Sequence, residues 1–209
     1  MAPYTVPMTT YVVFLRAVNV GSHNRIKMAD LRSALVADGL GDAITHIQTG
    51  NIIASSTDDE EGLRVRVERI IASALGLTVD AMVRTAGDFA TIAREHPFQD
   101  LSSDLSKLHM TLLAGQGGHT GHGGQGGHGG QAGHQGAAGE DFPTTAWAHS
   151  EPPDYWVAQG REIYLYFPDG FKQPKFTGKG VDPRLRRPGT ARNWKVIGEL
   201  AQLVVRFPG

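Results

Sequence analysis

The chain has no cysteine, which removes disulfides, thiolate nucleophiles and cysteine-ligated zinc or iron–sulfur sites. It has no excess of either charge: 20 Lys+Arg against 21 Asp+Glu leave a formal net charge of −1. That balance argues against a chain built around bulk attraction to nucleic acid or an acidic membrane. Long apolar runs are missing as well. Stretches such as Tyr11 to Leu15 fall far short of the ~20 residues that a membrane-spanning helix needs. The N-terminus lacks the basic region, apolar core and small-residue cleavage site of a secretory signal, so a cytoplasmic chain with no membrane partner is the expectation. No Gly-x-Ser-x-Gly elbow, His-Glu-x-x-His helix, P-loop spacing or dinucleotide fingerprint occurs. That leaves the question of an enzyme open, because sites assembled from distant residues leave no local mark.

What is present is an ordinary globular pattern with one unusual segment. Thr10 to Val18 reads as a buried strand, β-branched and aromatic, followed by a polar loop from Asn19 to Lys27. Met28, Leu31, Leu35 and Val36 then recur at helical spacing up to Gly39. Residues 43–48 and 51–56 are two apolar strands joined at Thr49-Gly50, a tight-turn signal. Asp58 to Glu61 places acid at the start of a helix carrying Leu63, Val67, Ile70, Ile71 and Leu75, and Gly76 ends it. With 78–84 alternating as a strand, residues 10–84 spell β-α-β-β-α-β, the order of the split βαβ or ferredoxin-like unit.

Residues 85–114 supply a helix over Gly87 to His96, stopped by Pro97, and a strand over 107–113. Residues 115–139 change character: of these 25, 13 are Gly, four His and four Gln. With almost no apolar side chain to offset ordering entropy, this insertion is expected to be a disordered linker. Residues 140–209 complete a second, smaller α+β lobe. It has a hairpin turning at Gln159-Gly160-Arg161, an irregular basic stretch over 171–188, and a last amphipathic helix from Asn193 to about Arg206. The fold class is therefore α+β.

Three islands stand out in order along the chain: Tyr11 to Met28 (YVVFLRAVNVGSHNRIKM), Ile47-Gln48-Thr49-Gly50-Asn51, and Thr190-Ala191-Arg192-Asn193-Trp194. Together they resemble the bacterial family catalogued as domain of unknown function 1697, whose members have two α+β plait-like lobes. Ala17 stands where that family usually has Gly, Ser22 where a second Gly is common, and Lys195 where Asn is usual. The resemblance implies a fold and no activity.

The candidate ligand-binding residues lie in polar turns at strand and helix ends: Arg16, Asn19, Gly21, Lys27, Gln48, Thr49, Gly50, Asn51, Lys175, Arg192 and Asn193. Backbone N–H groups at a helix start, supplemented by cations, hold phosphate or carboxylate. The bland alternative is that these Asn and Arg side chains tie down loop backbone. Residues 171–195 add Lys172, Lys179, Arg184, Arg186, Arg187 and Lys195 against the single acid Asp182, with Phe171, Phe176 and Trp194 interleaved. This pattern suits a nucleotide or nucleic acid, unless the aromatics pack in the core. His46 and His109 sit inside predicted strands, where a structural histidine is the commoner case. No metal site is expected beyond adventitious binding by His119, His122, His128 and His134. The expectation is a binding module for a phosphate-bearing small ligand such as a nucleotide. The alternatives are a transferase or hydrolase acting on a phosphorylated substrate, or a nucleic-acid-binding protein.

Overall fold

The structure, a computed structural model, describes residues 7–21, 24–115, 145–146, 155–171 and 188–208. The first half runs β1 (Thr9–Leu15), α1 (Met28–Ala37), β2 (Ile44–His46), β3 (Asn51–Ser56), α2 (Glu60–Leu75) and β4 (Ala81–Thr85). Its sheet has the order β2-β3-β1-β4 with every neighbouring pair antiparallel. β1 and β2 therefore point the same way with β3 inserted between them. β1 ends three residues earlier, at Leu15, than the apolar pattern suggests. The reason lies in the backbone, since Ala17 at φ 53 cannot continue a strand. The β2–β3 connection is also longer than a two-residue turn. His46 pairs with Asn51, so residues 47–50 form the loop, with Ile47 (φ 50) and Gly50 (φ 75) both left-handed.

The second half adds α3 (Ala86–Ile92), a 3₁₀ turn (Gln99–Leu101), β5 (Leu108–Leu113), β6 (Thr145–Ala146), β7 (Tyr155–Gln159), β8 (Glu162–Tyr166), β9 (Gly189–Asn193) and α4 (Trp194–Arg206). The strands form an antiparallel sheet ordered β6-β7-β8-β5-β9. β9 corrects the reading of the chain ahead of the last helix. Gly-Thr-Ala-Arg-Asn has little strand propensity, yet it pairs with β5 from His109↔Asn193 to Leu113↔Gly189. Tertiary pairing overrides the local signal. The α3 helix is shorter than its periodicity suggests, ending at Ile92 and leaving His96 in the following loop.

Alternation along β1 explains how the sheets stack. Tyr11, Val13 and Leu15 face α1 and α2, packing with Leu31, Leu35, Leu63, Val67, Ile70 and Ile71. Val12 and Phe14 face the other way and join Ile53, Met82, Phe89, Trp194, Ile197 and Leu200 with Leu108, Met110, Leu112 and Tyr164 of the second sheet. One apolar cluster thus takes side chains from both sheets and from α3 and α4. Each fully buried Leu, Ile or Phe contributes roughly 1.5–3 kcal/mol, so this shared layer joins the two halves firmly.

Helix ends follow their chemistry, with one exception. Asp59 caps α2 by accepting from the Gly62 amide at 2.7 Å, Thr85 caps α3 from Asp88 at 3.0 Å, and Asn193 caps α4 from Val196 at 2.9 Å. Lys27 stands at the α1 cap and makes no such side-chain bond.

Candidate functional site

The three sequence islands meet at one corner, where β1 ends. Leu15 donates its amide to the Gly50 carbonyl at 2.7 Å, drawing the 47–50 loop against the strand. The approach is so close that a Cβ on Gly50 would stand 2.8 Å from the Leu15 Cβ, and the φ of 75 disfavours a side chain independently. Asn19, itself at φ 55, binds the two loops together. Its Oδ1 accepts from the Ile26 amide at 2.9 Å, and its Nδ2 donates to the carbonyls of Ile26 at 2.9 Å and Gln48 at 2.7 Å.

Arg192 reaches into this corner from β9. Nε donates to Asn51 Oδ1 at 2.6 Å. Nη1 donates to Thr190 Oγ1 at 2.7 Å and the Ala191 carbonyl at 2.8 Å, and Nη2 to the Leu15 and Thr49 carbonyls at 3.0 and 2.8 Å. A guanidinium has five N–H donors, and all are engaged by neutral groups. Among the described residues no carboxylate pairs with it; the Phe14 ring lies 5.8 Å from its centre. Burial pushes its pKa down to about 10, so it remains charged at neutral pH. Thr190 adds a further tie by donating Oγ1 to the Leu15 carbonyl at 3.2 Å. Asn51 completes the knot by donating Nδ2 to the His46 carbonyl and to Thr49 Oγ1.

Asn19, Gln48, Thr49, Gly50, Asn51 and Arg192 therefore belong to one bonded cluster, and most of their polar groups are occupied within the protein. Arg16, Gly21 and Lys27 lie exposed on the attached 16–27 loop. Arg16 is paired with Asp80 at 2.9 Å across open surface. Asn193 projects from the opposite face of β9 to Arg192 and caps α4. Lys175 lies outside the described residues, as do Lys172, Lys179, Arg184, Arg186 and Arg187, the histidines 119, 122, 128 and 134, and all but the first residue of the Gly-rich insertion. Trp194 is buried against His96, ring centres 4.9 Å apart and edge to face. The core reading of that residue is the correct one. A depression of 380 Å³ lined by Thr91, Arg94, Glu95, Pro97, Gln159 and Tyr164 lies elsewhere and contains none of the candidates.

Several polar pairings escaped the sequence reading. Arg84 is 1% exposed and donates Nε to Glu162 Oε1 at 2.7 Å, with the Val83 and Leu113 carbonyls at 2.7 and 2.9 Å taking its other groups. Arg161 beside it pairs with Glu60 at 2.7 Å. A lone Arg in an apolar strand signals a buried partner, but nothing local says which residue that is. His46 Nε2 lies 2.8 Å from Glu199 Oε2 on α4, next to the corner. His96 is fully buried, with Nε2 at 3.0 Å from the His109 carbonyl and Nδ1 accepting from the Phe98 amide at 3.2 Å. Burial pushes its pKa down to about 4, so it is neutral at pH 7. Among the described residues no helix is long and apolar enough to cross a membrane, and no group of three or more His, Asp and Glu is placed to hold a metal.

With this geometry in hand, the comparisons with known proteins agree on architecture. The family described as "Protein of unknown function (DUF1697)" matches residues 8–121. A solved structure of a conserved bacterial protein from Streptococcus pneumoniae is similar at a TM-score of 0.57 and 20% identity, covering 95% of this chain and 99% of that one. At that identity the likeness concerns the fold alone. No curated protein matches.

Proposed function

We propose that this chain, which belongs to the DUF1697 family of proteins of unknown function, is a cytoplasmic binding module for a phosphate-bearing small ligand such as a nucleotide. The observation that carries this reading is the Arg192 charge, 7% exposed and paired with no carboxylate among the described residues, at the corner where the three sequence islands meet. Its donors are spent, so it offers an anion electrostatic attraction rather than hydrogen bonds. At an effective dielectric of ~20, a unit charge ~8 Å away gains about 2 kcal/mol. Direct contacts fall to the exposed Arg25 and Lys27 side chains and to the first amides of α1, which no side chain caps.

A transferase or hydrolase acting on a phosphorylated substrate is the second reading, and one observation favours it. The His46–Glu199 pair at 2.8 Å puts a histidine and a carboxylate beside the same corner, supplying the acid–base partner such chemistry needs. Nucleic-acid binding has less support, because buried Trp194 has no open face for a base and β4 contributes no aromatic residue to its sheet. The test is calorimetric titration with pyrophosphate at low and high salt. Saturable binding that weakens with salt and falls at least tenfold in Arg25→Ala/Lys27→Ala supports the reading. No saturable binding at millimolar pyrophosphate overturns it.

A further inference from the structure

The stretch after α3 and the β7–β8 hairpin face each other across the 380 Å³ depression, and the chain builds both walls on anchored backbone. α3 stops at Ile92, and the Ala93 amide closes its last turn on the Phe89 carbonyl at 2.9 Å. His96 is then drawn fully into the core, where Nε2 meets the His109 carbonyl and Nδ1 accepts from the Phe98 amide. Arg94, Glu95 and Pro97 flank that anchor and stay exposed. In the hairpin, Gln159 pairs with Glu162 and Val157 with Tyr164. Side chains alternate along a strand, so Gln159 and Tyr164 share one face. The ion pair of Glu162 with Arg84 holds the hairpin in place at 2.7 Å. Tyr164 joins the walls, its hydroxyl donating to the Ile92 carbonyl at 3.1 Å, and its buried ring forms the floor.

This concavity offers one charge of each sign and several open hydrogen-bonding groups. Among the described residues the side chains of Arg94 and Gln159 make no hydrogen bond or ion pair. Glu95 is not paired with its neighbour Arg94 and accepts only a long 3.4 Å contact from the exposed Gln99 amide. Thr91 Oγ1 donates to the Gly87 carbonyl at 3.1 Å and keeps its lone pairs, as does the Tyr164 hydroxyl. Unpaired charges are ordinary on open surface. Here two of opposite sign turn into the same hollow beside an aromatic floor. A phosphate would gain Arg94 but meet the Glu95 carboxylate, and a simple cation would meet the reverse, whereas a guest carrying both signs satisfies both. The volume lies near the low end of the ~300–1,000 Å³ of small-molecule sites, so the guest is small.

We propose that this depression binds a free α-amino acid with an apolar side chain. Its carboxylate takes the Arg94 fork through paired N–H···O bonds and accepts from the Gln159 amide. Its ammonium donates to Glu95 and to the Thr91 and Tyr164 hydroxyl oxygens. Its side chain packs on Pro97 and the Tyr164 ring. Because His96 and the hairpin fix both walls in the free protein, little ordering opposes binding. The site shares no residue with the β1 corner and its ligand carries no phosphate, so the inference does not rest on the anion reading.

The experiment titrates the full chain calorimetrically with valine, leucine, methionine and phenylalanine, each as the free amino acid. At least one is expected to bind saturably. Its N-acetyl form, which lacks the ammonium, and its amide, which lacks the carboxylate, should each bind at least tenfold more weakly. Arg94→Gln and Glu95→Gln should weaken binding by a similar factor, as expected when one charge-assisted contact is lost. Both residues are exposed, so the urea midpoint of each variant should stay that of the parent. Pyrophosphate binding should be untouched by Arg94→Gln, which keeps this result distinct from that at the β1 corner. No saturable binding of any of the four at millimolar concentration overturns the proposal, as does binding that Arg94→Gln and Glu95→Gln leave unchanged.

Discussion

Arg84 and Arg192 are both shut inside the protein, and they are held by opposite means. Arg84 faces the Glu162 carboxylate at 2.7 Å, and carbonyls of β4 and β5 take its remaining donors. Its charge is closed within the molecule, and the pair joins β4 to the β7–β8 hairpin. Arg192 is surrounded by Asn51, Thr190 and the carbonyls of Leu15, Thr49 and Ala191, all neutral. The same guanidinium fork serves as one half of an ion pair in the first region and as a clip for backbone in the second. Among the described residues only the second has no carboxylate partner, and that is the physical basis for proposing an anion at the β1 corner.

The largest effects should come from removing each arginine. Arg84→Met leaves Glu162 charged and buried, and Arg192→Met removes the Arg192 donors from Asn51 Oδ1 and from the Thr49, Ala191 and Leu15 carbonyls, of which the last keeps Thr190 Oγ1, so each is expected to cost about 3–5 kcal/mol in urea unfolding. The second substitution separates them. Arg84→Met/Glu162→Leu should recover most of the loss, because a buried ion pair is replaceable by apolar groups. Arg192→Met/Asn51→Leu should recover almost nothing, since the orphaned carbonyls remain. Equal recovery in both would erase the distinction drawn between the two regions.

Acid sensitivity should lie outside both arginine regions. The His96 pKa is depressed to about 4 when folded, against ~6.5 unfolded. The stability it contributes is present above ~6.5 and is lost as pH falls toward 4, amounting to about 3 kcal/mol. Unfolding midpoints measured from pH 7 to 4 should fall over that window, and less steeply in His96→Gln. Asp38 and Asp58, held below the usual carboxylate range chiefly by hydrogen bonds from Arg66 and from Ser56 respectively, titrate at lower pH. A flat profile in the parent protein would contradict the burial of a neutral His96.

Smaller effects test the backbone of the Arg192 corner. Gly50→Ala forces a side chain into left-handed φ and against Leu15, and about 2 kcal/mol of destabilisation is expected. Ala17→Gly runs the other way. Ala17 holds φ 53, and glycine there relieves ~1–2 kcal/mol of strain while adding up to ~1 kcal/mol of unfolded-state entropy. A net gain of about 0.5 kcal/mol should appear as a higher urea midpoint.

The periodic elements could be read from the chain because their signals are local: the stripe from Leu63 to Leu75, the Asp59 cap and the Gly76 stop all lie within one helix. β9 could not, since its pairing with β5 is decided some 80 residues away and its own residues favour nothing. The motif residues were legible as a set but not in their roles. Asn19, Asn51 and Arg192 look like ligand groups in a sequence, whereas the structure spends nearly every donor they have on neighbouring backbone and side chains. Arg84 with Glu162 and His46 with Glu199 were beyond reach for the same reason as β9, each being a pair made by topology rather than by spacing.

The central claim is that the β1 corner carries a charge the protein leaves uncompensated. Its most direct test is anomalous diffraction from crystals grown without phosphate or sulfate and soaked in selenate, a tetrahedral dianion visible at the selenium edge. The account predicts an anion at the start of α1, in contact with Lys27 or Arg25 on the Arg192 side of the 16–27 loop, and no anion beside Arg84. Selenate bound only elsewhere, with that corner empty at full occupancy of other sites, would contradict it.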